Sequence, residues 1–170
     1  NETPWGTMKY LELAETKSLP RVASIQNAYN LVNRGFEIGL SEVAMHEQVG
    51  LLAYSPLAQG TLTGKYLGGQ MPQGSRLALF GDGPLMMRYK GDKTQQAIEM
   101  YVNLAKKYEI DPAQLAIQFC NIQPFVTSTI IGATTMEQLK TCIDSVDLDI
   151  TKEIINEIRG IHKEIPNPAP

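Results

Sequence analysis

Short apolar segments that alternate with helical patterns constrain the fold of this chain more than any other feature. Residues 22–26, 51–54 and 126–131 are apolar or β-branched runs of strand length. Apolar residues at helical spacing precede, separate and follow them. The alternation predicts an α/β fold whose parallel strands are joined by right-handed helical crossovers.

The number of predicted strands is small for such a fold. Three parallel strands with two open edges make a poor independent sheet, so we expect the strand pattern to continue beyond this chain. The first residue is Asn1 rather than Met. We therefore expect the 170 residues to be part of a longer protein, with a core shared with residues outside them.

Capping signals predict where several helices begin. Thr3 before a proline predicts a helix over residues 4–17. A Thr-x-x-Glu box from Thr134 to Glu137 predicts the start of a helix after the third strand. The proline-rich tail, residues 165–170, is predicted to be extended along the surface.

A long glycine-rich connection follows the second predicted strand. Residues 55–93 contain eight glycines and three prolines. Structureless connections of this length are rare in compact domains and are usually functional or mobile. The segment therefore predicts a connection that is functional or mobile.

Composition excludes several classes of function. The chain has 15 Lys and Arg against 18 Asp and Glu, a net charge of −3, which argues against a general nucleic-acid or anionic-membrane surface. No apolar run approaches the roughly 20 residues that cross a bilayer. The two cysteines cannot form a disulfide framework and suit a reducing cytoplasm, so we predict that Cys120 and Cys142 are packing residues.

Candidate ligand residues lie at the carboxyl ends of the predicted strands, where parallel α/β folds bind ligands. Tyr54 can stack on a flat heterocycle or cap the core. The Gln26 amide can pair with a carboxamide or bond to local backbone. Residues 132–134 enter a helix, so they can bind an anion or serve as a plain cap.

Two cations lie within the glycine-rich connection. Lys65 and Arg76 would suit a polyanion such as a nucleotide phosphate, or they are solvated surface charges. The segment before Lys65 is not a Walker loop, because only three residues separate Gly60 from the Gly-Lys pair.

No reaction centre is evident beside these ligand residues. The sequence has no metal-ligand spacing, no Gly-x-Ser-x-Gly elbow and no obvious carboxylate pair. His46 and His162 lie away from the strand ends and are predicted to be surface residues. The residues alone predict a ligand site without a general acid or base.

Three segments carry a family resemblance. Residues 26–31, 52–66 and 131–139 resemble, in order and spacing, the aldo-keto reductase superfamily, with bacterial members of the branch that contains potassium channel β subunits as the nearest likeness. The family fold is a (β/α)8 TIM barrel. The resemblance implies that residues 1–170 are the carboxy-terminal part of one barrel domain, roughly strands six to eight with their helices and the carboxy-terminal helix. It also implies that residues 55–93 fold over the cofactor.

The resemblance further implies NADPH as cofactor and assigns its contacts. Asn1 and Gln26 would hold the nicotinamide carboxamide, and Tyr54 would stack on the ring. The pyrophosphate would be lined by Ser55, Pro56, Leu57, Gln59 and Lys65. The adenosine and its 2′-phosphate would be surrounded by Arg76, Gly132, Thr134 and Gln138. Cys142 stands where the family often has an adenine-binding Asn, and a thiol cannot replace that paired donor and acceptor.

The function implied for the complete protein is NADPH-dependent reduction of small aldehydes or ketones in the cytoplasm. The family's catalytic Asp, Tyr, Lys and His belong to the first four strands, so we expect this chain alone to be inactive. We expect no metal, nucleic-acid or membrane partner, and association with the missing amino-terminal part or as a homo-oligomer. Two alternatives remain open: a nucleotide-sensing partner module like the channel β subunits, and a fragment with no role of its own.

Overall fold

The computed structural model describes residues 1–81 and 83–170. Asp82 belongs to the predicted 55–93 loop and lies outside the described residues. The described residues form three strands and eight α-helices. The strands are β1 (Ser24–Ala28), β2 (Gly50–Tyr54) and β3 (Val126–Thr129). The helices are α1 (Pro4–Lys17), α2 (Leu40–Glu47), α3 (Arg76–Phe80), α4 (Pro84–Met87), α5 (Asp92–Lys107), α6 (Pro112–Asn121), α7 (Met136–Asp144) and α8 (Lys152–Glu164).

The three strands form one parallel sheet in the order β1-β2-β3, which confirms the α/β prediction. Gly50 opens β2 where the strand passes Thr127 of β3. A Cβ atom at Gly50 would lie 1.7 Å from Thr127 Oγ1. Only glycine therefore allows the two strands to approach this closely.

The two faces of the sheet differ in burial. Ile25, Leu51 and Ala53 lie on the face that packs against the helices, and all three belong to the hydrophobic core. On the opposite face, Gln26 and Ser128 flank Leu52 in register, and both are exposed. We call this opposite side the open face of the sheet. Side chains alternate between the faces because strands have a two-residue period.

An aromatic cluster forms the centre of the helix-covered side. Tyr29 stacks on Phe119 with ring centroids 5.6 Å apart and meets the edge of Phe125 at 5.3 Å. Phe36 packs on Phe125 at 5.4 Å. These pairs join the chain after β1 to α6 and to the residue that precedes β3.

The predicted packing role of the cysteines is confirmed. Both Cys120 and Cys142 are buried and unpaired. Burial raises the pKa of the Cys120 thiol well above its ordinary value, so the thiol stays protonated and inert.

Capping confirms one predicted helix start and corrects another. Thr3 Oγ1 accepts a hydrogen bond from Gly6 N–H at 3.0 Å, and α1 spans the predicted residues. The predicted box at Thr134 is wrong by one residue. Thr135 is the N-cap of α7, and its hydroxyl oxygen accepts from Gln138 N–H at 3.2 Å. The adjacent threonines compete for this position, and Thr135 has the extended backbone that a cap requires.

The predicted strand bounds also need correction. β1 is shifted by two residues and ends at Ala28, because its pairing with β2 continues to the partners Ala28 and Tyr54. β3 ends at Thr129 rather than Ile131, although Ile130 N–H still donates to Ala53 O at 2.8 Å. Gln26, which the sequence predicts at the end of this strand, is therefore the third of the five residues of β1.

The connection over residues 55–93 is not structureless, so that expectation is wrong. It contains α3, α4, the start of α5 and the short 3-10 helices Ala58–Thr63 and Leu67–Gly69. Ser75 starts α3, since its hydroxyl oxygen accepts from Ala78 N–H at 3.3 Å. These helices are shorter than the windows in which helical periodicity can be recognised.

The tail is also packed more closely than predicted. Ile165 and Ala169 are buried, and Ala169 N–H donates to Val32 O at 3.0 Å. Asn167 Oδ1 accepts from Arg34 N–H at 2.7 Å. The tail therefore fastens the segment after β1 instead of lying loosely on the surface. His46 is exposed as predicted, whereas His162 is half-buried and corrects that prediction.

Candidate functional site

The carboxyl end of β2 brings together the first three predicted ligand residues. Tyr54 OH donates to Asn1 Oδ1 at 2.7 Å, and the Asn1 amino group donates to Gln26 O at 2.8 Å. Gln26 is exposed on the open face, in the row next to Leu52. Tyr54 is half-buried rather than sealed in the core, which leaves part of its ring accessible.

The chain after Tyr54 follows an unusual backbone path. Ser55, Ala58 and Gln59 have φ values of 55°, 49° and 61°, in the left-handed region that non-glycine residues rarely adopt. Gly60 continues the path at φ 90°. Several left-handed residues in succession store strain, and such strain clusters at ligand sites.

Side chains and backbone hold this path in place. Gln59 Nε2 donates to Ser55 Oγ at 3.0 Å. Leu57 O accepts from Gly60 N–H at 2.8 Å, and Pro56 is buried. Gln59 Oε1 is buried and has no hydrogen-bond partner within residues 1–81 and 83–170. The Ser55 hydroxyl can both donate and accept, so it can pair with either the Nε2 or the Oε1 atom of the Gln59 amide.

Lys65 lies folded against the same loop. Its Nζ atom is 5.2 Å from the centroid of the Tyr66 ring. A Cβ atom at Gly60 would lie 3.1 Å from Lys65 Cε and Nζ, so any other residue would push the lysine tip aside, and the φ of 90° at this position also favours glycine. Arg76 is exposed at the start of α3, with its guanidinium carbon 5.9 Å from the Phe80 ring centroid.

The residues after β3 form a separate small cluster. Thr134 donates to Gln138 Oε1 through its N–H at 3.0 Å and its hydroxyl at 3.1 Å. Gly132 is exposed beside them. In the described part of the chain, no hydrogen bond links Arg76 or this cluster to the loop after Tyr54. The structure thus joins the residues predicted for the nicotinamide to the Ser55 and Gln59 loop, and it leaves the residues predicted for the adenosine apart.

Sequence reasoning missed Asn30, a fully buried residue that lies next to the site. Its Nδ2 donates to Ser55 O at 2.9 Å. Its Oδ1 accepts from the N–H groups of Val32 and Asn33. The available signal was an asparagine just past the end of a strand, in a turn at the edge of the sheet where ligands bind.

A charged cluster lies in the same turn. Arg34 donates to both carboxylate oxygens of Glu37, at 2.6 and 2.7 Å, and Tyr29 OH donates to Glu37 Oε1 at 2.6 Å. Burial alone would raise the pKa of Glu37, but the hydrogen bonds from Arg34 and Tyr29 outweigh it and lower the pKa. Burial and the Glu37 carboxylate raise the pKa of Tyr29. The cluster is thus a structural ion pair on the helix-covered side.

The site can bind and orient a ligand. Among the described residues, the Tyr54 hydroxyl bonds to the Asn1 amide, and no histidine or carboxylate side chain is hydrogen-bonded to it. No cluster of three or more metal-ligating side chains occurs among the described residues. None of the described helices is both long and apolar enough to span a membrane.

Comparison with known proteins identifies the family of this chain. The model of the aldo/keto reductase family matches residues 1–163. The chain is 51% identical over 170 residues to Protein tas of Escherichia coli K12, covering 100% of the chain and 48% of that protein. It is 32% identical over 148 residues to L-glyceraldehyde 3-phosphate reductase of the same organism, covering 85% of the chain and 42% of that protein.

A probable voltage-gated potassium channel subunit beta of Arabidopsis thaliana is 34% identical over 165 residues, covering 95% of the chain and 48% of that protein. The chain spans about half the length of these relatives. Since the family model covers nearly the whole chain, the chain belongs to the aldo/keto reductase family.

Proposed function

We propose that this chain is the cofactor-binding part of an NADPH-dependent oxidoreductase that reduces small aldehydes or ketones in the cytoplasm. In this proposal β1, β2 and β3 are the sixth, seventh and eighth strands of a (β/α)8 barrel. Residues 1–170 are the carboxy-terminal part of that single domain, and the catalytic residues lie in the part that precedes them. The isolated chain is then inactive.

The loop after β2 is the observation that carries the proposal. It follows a parallel strand at its carboxyl end, which is where barrels bind their ligands. Its left-handed residues Ser55, Ala58 and Gln59 persist without a glycine, so the surrounding contacts must impose them. A loop whose conformation is fixed by its surroundings offers a preformed surface to a ligand.

Two cations of the connection over residues 55–93 fit a dinucleotide phosphate. Within residues 1–81 and 83–170, neither Lys65 nor Arg76 forms an ion pair with a carboxylate. Both positive charges are therefore available to an anion, although the chain is acidic overall. Lys65 would hold the pyrophosphate, and Arg76 would hold the 2′-phosphate that distinguishes NADPH from NADH.

Exposed apolar residues on the two edge helices support the partial barrel. Tyr10 and Leu13 are exposed on α1, and Tyr10 lines an open pocket of about 240 Å³ at the free edge of β1. On α7, Met136 and Ile143 are exposed and flank half-buried Leu139 at helical spacing. Apolar stripes at both edges suit helices that pack against neighbours in a closed ring.

The residues of this chain would bind and orient, while the cofactor, when bound, supplies a hydride to the substrate carbonyl carbon. Tyr54 would present its ring to the nicotinamide, and its hydroxyl bond to Asn1 Oδ1 fixes the ring orientation. Ser55 and Gln59 hold the loop that carries the pyrophosphate. Gln26, exposed on the open face, would pair with the carboxamide.

Binding and turnover by the full-length protein test the proposal. We expect NADPH-dependent reduction of a reactive aromatic aldehyde by the full-length protein, and none by residues 1–170 alone.

Lys65→Met should raise the Kd for NADPH at least about tenfold, since a charge-assisted contact contributes about 1.5–3 kcal/mol. Arg76→Met should reduce the preference for NADPH over NADH. Lys152→Met, which removes an exposed charge at the start of α8, is the control. Unchanged NADPH affinity in the Lys65 and Arg76 variants would contradict the proposal.

A second candidate function rests on the likeness to the plant protein named as a probable potassium channel subunit beta. A nucleotide-sensing module would hold its cofactor tightly and turn over slowly. The rate of NADP release from the full-length protein separates the two functions. Release slower than minutes supports sensing, and release that keeps pace with turnover supports the reductase.

A further inference from the structure

A fully buried asparagine joins the turn after β1 to the loop after β2. Asn30 Oδ1 accepts from Val32 N–H at 3.0 Å and from Asn33 N–H at 2.9 Å. Asn30 Nδ2 donates in the other direction, to Ser55 O at 2.9 Å. One side chain thus closes its own turn and reaches the first residue of the strained loop.

Ser55 depends on such support because its φ of 55° is disfavoured for any residue with a Cβ atom. Its carbonyl oxygen accepts from both Asn30 Nδ2 and Ala58 N–H, the latter at 2.9 Å. Rotation of Ser55 to an ordinary φ would turn this carbonyl away from both donors. The bond from Asn30 therefore favours the conformation in which the loop begins.

We infer that Asn30 is a positioning residue that sets the loop of residues 55–60 for the pyrophosphate of a dinucleotide. The inference rests on the proposed function, because it assumes that this loop binds NADPH. Asn30 is completely buried and acts through Ser55. Its amide suits this role because it carries a donor and an acceptor on one carbon.

Asn30→Asp separates the two roles of this side chain. The carboxylate keeps an acceptor for the N–H groups of Val32 and Asn33. It replaces the donor with an acceptor that faces Ser55 O, and two acceptors repel each other. The Tyr89 hydroxyl is the titratable group that also contacts the Asn30 side chain, and it can donate to either the carboxylate or the protonated carboxyl. The substitution should raise the Kd for NADPH about tenfold at pH 8.

The same turn supplies a matched control. Asn33 is also buried, and its Oδ1 accepts from Gly35 N–H at 3.3 Å, within the turn. Asn33→Asp makes the same chemical change at similar burial without touching Ser55. It should leave the Kd for NADPH within about twofold of the parental value.

Acid pH provides a readout that a general loss of packing would not produce. A protonated carboxyl regains an O–H donor, which can again reach Ser55 O. The ratio of Kd between Asn30→Asp and the parental protein should therefore shrink as pH falls from 8 to 5.5. The same ratio for Asn33→Asp should stay constant.

The experiment is a fluorescence titration of NADPH into the full-length protein and both variants at the two pH values. If the parental protein binds no NADPH, the proposed function fails. If it binds and the two variants have equal Kd, or if the loss in Asn30→Asp is the same at both pH values, the inference about Asn30 is overturned.

A neutral pair of variants covers the case in which a buried carboxylate prevents folding. Asn30→Ser keeps a short acceptor for the turn and is too short to reach Ser55 O. It should weaken NADPH binding relative to Asn33→Ser, and equal binding by this pair would overturn the inference.

Ser55→Gly adds a test of the mechanism, because glycine adopts positive φ freely. In that background the effect of Asn30→Ser should shrink, and an undiminished effect would count against action through Ser55.

Discussion

Two segments beside the candidate site differ sharply in how they are held. Residues 29–39, which we call the anchored segment, follow β1 and are almost entirely buried at Tyr29, Leu31 and Val32. Residues 68–81, which we call the glycine-rich segment, expose most of their side chains, and Phe80 is 73% exposed. The contrast teaches that one side of the site is built for rigidity and the other for movement.

The backbone of the two segments explains the difference. In the glycine-rich segment, Gly68, Gly69, Gly74 and Gly81 all have positive φ, and a Cβ atom at any of them would meet no atom within 4 Å. No atom fills the space where a side chain would begin, so packing around that space does not fix the backbone at these glycines. The anchored segment is held by the Arg34 and Glu37 pair and by the tail. We expect the glycine-rich segment to admit the cofactor and the anchored segment to keep the strand ends in place.

The largest expected effect comes from breaking the ion pair of the anchored segment. Glu37→Ala leaves Arg34 and the Tyr29 hydroxyl without their shared acceptor in a mostly buried place. The free energy of unfolding of the full-length protein should fall by about 3 kcal/mol, measured by urea denaturation. Leu79→Ala, an exposed change in the glycine-rich segment, should alter it by no more than about 0.5 kcal/mol. If the two substitutions lowered the free energy of unfolding equally, the two segments would not differ in how firmly they are held.

A smaller effect is expected where the tail meets the anchored segment. Asn167→Ala removes the acceptor of Arg34 N–H, and an unpaired N–H in this half-buried place should lower the free energy of unfolding by about 1 kcal/mol. The Arg34 amide should also exchange its hydrogen faster. Asn156→Ala, at an exposed position of α8, is the control and should not destabilise the protein. A stable variant with an unchanged Arg34 amide would mean that the tail does not anchor this segment.

The smallest expected effect is a pH dependence near His162. Burial lowers the pKa of His162 below its ordinary 6.5, the Arg34 charge acts in the same direction, and Glu37 opposes both. The unfolded chain therefore binds a proton at a higher pH than the folded one, and stability is lost as pH falls below about 6.5. The Glu37 pKa is lowered from 4.5, so its own contribution is lost only at more acid pH.

The melting temperature between pH 7.5 and 5.5 tests this contribution. His162→Gln should show a shallower decline than the parental protein over that range. His46→Gln, at an exposed position, should decline in parallel with it. If the melting temperature of His162→Gln fell in parallel with that of the parental protein, His162 would not contribute to the pH dependence of stability.

Local sequence signals predicted the regular elements well, because caps and strands depend on neighbouring residues. Thr3 before Pro4 starts α1 as expected, and Asp111 caps α6 by accepting from Ala113 N–H at 2.7 Å. The β-branched run after Val126 forms β3. The sequence does not distinguish the two candidate caps of α7, because Thr134 stands three residues before Glu137 and Thr135 three residues before Gln138, and both spacings match a capping box.

Contacts between distant residues could not be predicted in this way. The tail packs on the anchored segment through Asn167 and Arg34, which are separated by 133 positions in sequence. The bond from Asn30 to Ser55 likewise depends on the register of β1 and β2. The position of Tyr54 at a strand end predicts its role, and the family resemblance adds Ser55 and Gln59. The left-handed backbone at Ser55, Ala58 and Gln59 is visible only in the structure.

Hydrogen exchange of the full-length protein, followed by mass spectrometry with and without NADPH, tests most directly whether this chain binds the cofactor at the loop after β2. The account predicts slow exchange in residues 29–39 under both conditions. It predicts fast exchange in residues 68–81 without cofactor and strong protection there, and in residues 55–66, at saturating NADPH. Unchanged exchange in both of these segments at saturating NADPH would contradict the account.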